Sequence, residues 1–229
     1  MIVTIHQPEY LPWLGFFDRI IKSDTLVILD DVGYEKNGFI NRNKIKKKNQ
    51  AGWQYITVPV QGRSPHKKIN EVLIDNTKHW QQNHLAIIKE NYQKAPYFKE
   101  YFLFLEEALG KKWEKMSDLD IYLLRSVAGF LELKPAIAIT STMDVKGVKT
   151  ERLVNICKSL GADTYLAGPG GKDYMDLELF KKEGIKVIFQ EFKHPEYSQQ
   201  FMEQGFLPGM SIIDLLFNHG PKSINIIRN

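Results

Sequence analysis

Apolar and polar positions alternate along the chain between two periods. Residues 2–6 form a short β-rich run that stops at His6-Gln7. A helical spacing follows over about 14–22, with Phe16, Phe17, Ile20 and Ile21 on one face. Ser23-Asp24 breaks it, and the apolar run of Thr25–Asp30 reads as a second strand, buried on both faces. A strand–helix–strand unit of this spacing predicts parallel strands joined by a right-handed crossover. A polar, basic segment covers 33–50, and the pattern predicts strands over 53–60 and 68–74. Helices are predicted over about 78–93, 97–109 and 118–132. Ser117 or Asp118 would cap the third, and Gly110 stands where a C′ glycine would end the second.

Alternation of strand and helix then returns. The pattern predicts strand 136–140, helix 150–160 ending at Gly161, strand 164–167, helix 177–182 ending at Gly184 and strand 186–191. A short helix at about 210–218 precedes a plain tail. The expected architecture is α/β: a doubly wound, mostly parallel, Rossmann-like sheet covered on both faces. It would be a single α/β domain spanning 1–229, with the helices of 78–132 as an insertion or subdomain.

Composition narrows the function classes. A formal charge of +4 over 229 residues suits an anionic small molecule and is too small to imply nucleic acid. Cys157 is the single cysteine, so no intramolecular disulfide can form; its apolar helical neighbours Leu153, Ile156 and Leu160 predict a buried, inert thiol. No basic region followed by an apolar signal core opens the chain, and no apolar stretch approaches a membrane span. A cytoplasmic protein is expected. His66, His79, His84, His194 and His219 lack metal-ligand spacing, so no metal site is expected. The aromatic run Tyr92, Tyr97, Phe98, Tyr101, Phe102 and Phe104 has core spacing, and Trp53 and Trp80 read the same way.

Three constellations could carry chemistry. The first is the loop after strand 2–6, where Pro8 and Pro12 bracket Tyr10 and Trp13 and Gly15 closes the turn. The prolines disfavour helical backbone at Gln7 and Leu11, so the loop is expected to run extended. In an open parallel sheet ligands bind beyond the carboxyl ends of the strands, which places His6 and Gln7 beside Asp30 and Asp31. Histidine titrates near neutrality and can move protons, and paired carboxylates can hold Mg²⁺, ribose hydroxyls or an amine. The second constellation is Tyr34, Lys36, Asn41, Arg42 and Asn43, followed by lysines 44 and 46–48. It offers a planar fork for carboxylate or phosphate and carboxamides for sugar hydroxyls. The third is Gly168, Gly170, Gly171, Lys172, Asp173 and Tyr174, a glycine-rich turn that lets backbone approach a ligand. It matches neither a P-loop nor a dinucleotide fingerprint.

These residues resemble the WbqC-like proteins. His6-Gln-Pro-Glu-Tyr-Leu-Pro-Trp-Leu-Gly15, Asp30-Asp-Val32, Tyr34 and Asn41-Arg42-Asn43 match that family's pattern. So do Leu160–Tyr165, Gly168, Gly171–Tyr174, Phe180 and Gly184–Val187. The likeness runs from residue 2 to about 218. It implies a bacterial protein of O-antigen or other surface polysaccharide biosynthesis that transfers an aminoacyl, especially glycyl, group to an amino sugar. Gly33 departs from the family's usual glutamine, so a polar contact there is lost or supplied elsewhere. The N-terminal layout is also similar to HUP-type nucleotidyltransferases, although the second histidine of their HxGH motif is absent.

The expectation is an aminoacyl or acyl transferase, or an ATP-dependent amide ligase. Its substrate would be a nucleotide-linked amino sugar. His6 would serve as general base and Asp30 or Asp31 would bind the ammonium. Arg42 would hold a donor carboxylate or phosphate, and the basic 36–48 segment the diphosphate. ATP with Mg²⁺ is the expected cofactor where the donor is activated in place; aminoacyl-tRNA and a thioester are the other donors. The alternative is a non-catalytic sugar-nucleotide-binding or scaffold protein of the same pathway.

Overall fold

The computed structural model describes residues 1–48, 52–62 and 67–229. The end of the basic 33–50 segment and His66 lie outside the described residues. The first strand, β1 (Ile2–His6), leads through α1 (Leu14–Ile21) into β2 (Thr25–Ile28), and the two strands pair in parallel with His6 opposite Ile28. Three further strands, β5 (Ala136–Ile139), β6 (Thr164–Ala167) and β7 (Lys186–Phe189), complete a five-stranded sheet in the order β5-β2-β1-β6-β7. Every pairing in it is parallel. The expected doubly wound α/β fold is therefore present.

Why the strands read as unbroken apolar runs follows from this sheet. Successive side chains on a strand point to opposite faces. Val3, Ile5 and Val27 pack with Leu153, Ile156 and Cys157 of α5 (Lys149–Ser159) and Phe180 of α6 (Leu177–Lys182). Leu26 and Ile28 join Phe16, Phe17 and Ile20 of α1 in the cluster on the opposite face. A strand covered on both sides has no position left for solvent-facing residues. Cys157 is fully buried, and burial pushes its thiol up to about 12, as an inert thiol requires.

The α1 side of the sheet extends into a second layer. There β3 (Arg42–Lys46) and β4 (Trp53–Thr57) form an antiparallel hairpin with Arg42 opposite Thr57. α2 (Trp80–Tyr92), α3 (Phe98–Gly110), α4 (Met116–Phe130), α7 (Ile212–His219) and α8 (Ser223–Arg228) share its apolar cluster through residues such as Ile45, Ile56, Tyr92, Leu105, Leu124, Phe217 and Ile227.

Several local expectations need correction. Residues 68–74 do not form a strand: a 3₁₀ turn at Ile69–Glu71 is flanked by isolated bridges, Gly33 to Lys68 and Val60 to Ile74. The buried residues of that run are Ile69, Val72 and Ile74, a spacing that one tight turn satisfies and a strand cannot. α4 begins at Met116 after Lys115, with no side-chain cap, because the Met116 amide donates to the Val72 carbonyl and buries Ser117. Gly110 is the last residue of α3, two places earlier than a C′ glycine. Residues 42–46 are a strand, which the lysines hid: Asn43 and Ile45 are the inward members of the alternation. The tail carries α8, packed on α1. Trp53 is exposed under Lys44, whose Nζ lies 4.4 Å from its ring centroid, whereas Trp80 is buried as expected. No helix among the described residues is long and apolar enough to cross a membrane.

Candidate functional site

The sheet order reverses between β1 and β6. β1 continues into α1 on one face, and β6 continues through a 3₁₀ turn (Pro169–Asp173) into α6 on the other. Two chains leaving adjacent strand ends in opposite directions open a crevice there. In this protein it is a cavity of about 400 Å³. Its polar lining comes from His6, Gln7, Arg19 and Gln190, and its aromatic walls from Trp13, Tyr165 and Tyr174. The backbone of Gly168, Gly170 and Gly171 forms another side.

His6 ends β1 with its ring packed edge-on against Phe16, centroids 4.7 Å apart. Its Nδ1 lies 2.7 Å from the Gln7 carbonyl oxygen. A carbonyl can only accept, so Nδ1 carries the proton and Nε2 keeps its lone pair. Glu9 Oε1 stands 3.6 Å from Nε2, beyond hydrogen-bond range. Burial pushes the Glu9 carboxyl up to about 8, so near neutrality it is mostly protonated and the two residues are not an ion pair. Glu9 Oε2 has no hydrogen-bond partner among the described residues, and neither does either oxygen of Asp120 on α4. Burial and the nearby Glu9 also push Asp120 well above the usual carboxylate range.

Arg19 was not anticipated. It lies on α1 three residues after Phe16 and is 6% exposed. Burial pushes its guanidinium down to about 10, which leaves it charged at neutral pH. The neighbouring Asp18 does not neutralise it: that carboxylate accepts from Lys22 Nζ at 2.7 Å and from Gln190 Nε2 at 2.7 Å. Gln190 also donates to the Gly15 carbonyl at 2.8 Å, tying β7's end to α1. A cation inside an otherwise apolar helical stripe was the signal available in the sequence. Gln190 had one too, since it is a polar residue just past a strand end, as Gln7 is.

The loop of the first constellation is held from outside the cavity. Leu11 adopts φ +46°, so the expected extended conformation fails there. Asn43 Nδ2 donates to the carbonyls of Tyr10 at 3.1 Å and Leu11 at 2.9 Å, and Ser211 Oγ donates to Leu11 at 2.8 Å. These bonds offset the left-handed backbone at a non-glycine residue. Asn43→Ala is expected to cost about 1–3 kcal/mol, because the buried Tyr10 carbonyl loses its side-chain donor. A lowered denaturant midpoint at constant slope would register the loss; an unchanged midpoint would show that the loop is fixed by other contacts. Gly15 is required where it stands, since a Cβ there would come within 2.3 Å of the Trp13 ring.

Of the anticipated residues, the cavity gathers His6, Gln7, Trp13, Gly168, Gly170, Gly171 and Tyr174. The others lie elsewhere. Tyr10 is fully buried and donates to His84 Nδ1 at 3.0 Å, while His84 Nε2 donates to Thr57. Asp30 accepts from the Ser141 amide at 2.9 Å, the Ser141 hydroxyl at 2.6 Å and Thr140 Oγ1 at 3.1 Å. Asp31 pairs with Arg152 and accepts from Thr140. Tyr34 donates to Asn41, and Asn41 donates to Val58. Arg42 donates to Asn37 and stacks on Tyr55, its Cζ 4.1 Å from the ring centroid. Lys36 is exposed, as are Lys172 and Asp173 on the outside of the glycine-rich turn. Lys46 is buried, its Nζ donating to Gly205 at 2.7 Å and Gln199 at 3.3 Å. Gly33 is exposed, with nothing within 4 Å of an added Cβ, so the family's glutamine would meet no obstacle.

These placements bear on a metal. The oxygens of Asp30 and Asp31 are already engaged by hydroxyls, an amide and a guanidinium. Among the described residues no three His, Cys, Asp or Glu side chains converge to hold an ion. The residues present do not fit a protein-held Mg²⁺.

The fold and cavity define a doubly wound α/β protein with a ligand-sized crevice at its topological switch point. Residues 7–226 match the model of the WbqC-like protein family, and the chain belongs to that family. It is 36% identical over 229 residues to the uncharacterized protein Rv1507c of Mycobacterium tuberculosis (strain ATCC 25618 / H37Rv), covering 99% of this chain and 97% of that protein. No solved structure matches it.

Proposed function

We propose that this protein transfers an aminoacyl group, of glycyl type, to an amino sugar carried on a nucleotide, forming an amide during synthesis of a bacterial surface polysaccharide such as O-antigen. The family resemblance supports the pathway. The observation that carries the chemistry is His6 in the switch-point cavity, with Nδ1 committed to the Gln7 carbonyl and Nε2 left to accept a proton. The amine nitrogen attacks the acyl carbon of an activated donor. A carbon–nitrogen bond forms, the bond to the donor's leaving group breaks, and the amine proton passes to Nε2. Gln7 and Gln190 suit sugar hydroxyls, and the exposed ring of Tyr174 suits a sugar or base ring. The engagement of Arg42 with Asn37 and Tyr55 supports an anion at the cavity wall rather than on the 36–48 segment.

The test is a mass-spectrometric reaction screen of the purified protein with nucleotide-linked amino sugars, amino acids, and ATP with Mg²⁺, each omitted in turn. The expected product is heavier than the sugar nucleotide by one aminoacyl group. Loss of product without ATP identifies a ligase, and product only with charged tRNA or an acyl thioester identifies a transferase. Binding of the sugar nucleotide with no product under any condition would replace the enzyme by the non-catalytic binding protein.

A further inference from the structure

We propose that Arg19 anchors an oxyanion subsite in the switch-point cavity and that the group it takes is the phosphate of a phosphorylated ligand. The proposal rests on the reading of this cavity as the substrate site and names the substrate class. A guanidinium nine-tenths buried normally sits against a carboxylate or a set of carbonyls, since an uncompensated buried charge is among the costliest features a fold can retain. Among the described residues no carboxylate pairs with Arg19; its guanidinium lies 6.0 Å from the Phe16 ring centroid and reaches the cavity. The one carboxylate adjacent in sequence, Asp18, is held by Lys22 and Gln190. The uncompensated charge opens into the cavity rather than into the core.

The opposite wall leaves room for it. A Cβ on Gly168 would lie 3.2 Å from Arg19 Nη1, so the absence of a side chain there lets the guanidinium lie along the glycine-rich turn. A planar fork with free donors matches phosphate oxygens in pairs. The cavity is large enough for more than an isolated small carboxylate, and its aromatic walls suit the ring that a phosphorylated sugar or nucleoside would bring.

Binding of inorganic pyrophosphate, UDP, uridine and glycine to the full chain, read by calorimetry, tests this. Pyrophosphate and UDP should bind, and uridine and glycine should bind far more weakly. Arg19→Met should weaken UDP about 100-fold, the scale of losing one partner of a buried charge pair. It should also melt, free of ligand, no lower than the wild type, because it removes an unpaired buried charge. Gly168→Ala should weaken UDP several-fold with the fold intact. Wild-type affinity of Arg19→Met for UDP, or binding of glycine as tight as pyrophosphate, would overturn the assignment; the second outcome would mark a carboxylate site. Should Arg19→Met fail to fold, unchanged UDP affinity in Gly168→Ala overturns it instead. Amide product formed by Arg19→Met at the wild-type rate would remove the subsite and leave the proposed activity standing. Pyrophosphate binding without product would do the reverse.

Discussion

Glu9→Gln is expected to leave the protein's stability nearly unchanged at pH 5 and to raise it clearly above the wild type at pH 9. Burial lifts the Glu9 carboxyl from 4.5 to about 8. The native state therefore holds this proton more tightly than the unfolded chain does. The stabilisation from that proton is complete below the unfolded pKa and disappears as pH rises through the folded one. Across the window from 4.5 to 8, Glu9 alone tilts stability downward by about 1.4 kcal/mol per pH unit. Glutamine preserves the shape and cannot ionise. Asp120 is pushed in the same direction by the same burial and by Glu9 itself, so part of the slope survives in the single variant. Glu9→Gln/Asp120→Asn should flatten it further. Thermal melts from pH 5 to 9 measure this directly. A difference between Glu9→Gln and the wild type that stays constant with pH would mean that Glu9 is already ionised in the native protein.

His6→Gln is expected to slow amide formation by about 100-fold or more, the scale on which a positioned general base contributes. Glutamine can occupy the strand end and still donate to a carbonyl, but it offers no titrating nitrogen. Affinity for the sugar nucleotide should stay within a few-fold of the wild type, since the cavity keeps Arg19, Gln190 and its aromatic walls. A fall in rate with affinity retained would separate proton transfer from binding. Full activity in the variant would take the base role from His6 and pass it to a group on the substrate or donor.

Glu9 and Asp120 show how the tertiary structure changes the meaning of a residue. In the sequence Glu9 is an ordinary loop acid between two prolines, and Asp120 is one acid on a helix more than 100 positions away. Only the tertiary structure brings them into each other's field and shields both carboxyls. Arg19 is a similar case. Its place among Phe16, Phe17 and Ile20 was visible, but a lysine or arginine on an apolar stripe usually extends its head to solvent. Here β6 and the glycine-rich turn close over it instead.

The same contrast runs through the second constellation. Asn41, Arg42 and Asn43 carry the chemistry of ligand binding, yet the hairpin turns them onto backbone carbonyls and aromatic faces. Asn43 contributes at one remove, by holding Leu11 in a left-handed conformation below the cavity. Asp30 and Asp31 stand just past the carboxyl end of β2, the expected edge of the sheet, but Thr140, Ser141 and Arg152 occupy their oxygens. A strand-end position can be read from spacing; whether its side chain is free for a ligand depends on which residues from distant elements arrive beside it.

The sequence by itself determined the sheet. Apolar runs of strand length, separated by helical stripes and punctuated by Gly161 and Gly184, admit few arrangements other than parallel strands covered on both faces. They place His6, Gln7 and the Gly168–Gly171 turn at the strand ends because the connections there carry the polar residues. The tertiary structure decided which of those ends share a cavity. That depended on the strand order, which sets β6 beside β1, and on burial, which leaves Arg19 charged and unpaired and Glu9 protonated. Local spacing encodes which way a side chain points from its own element. Desolvation and pairing depend on what other elements bring to the same place, and that information lies in contacts between residues far apart in the chain.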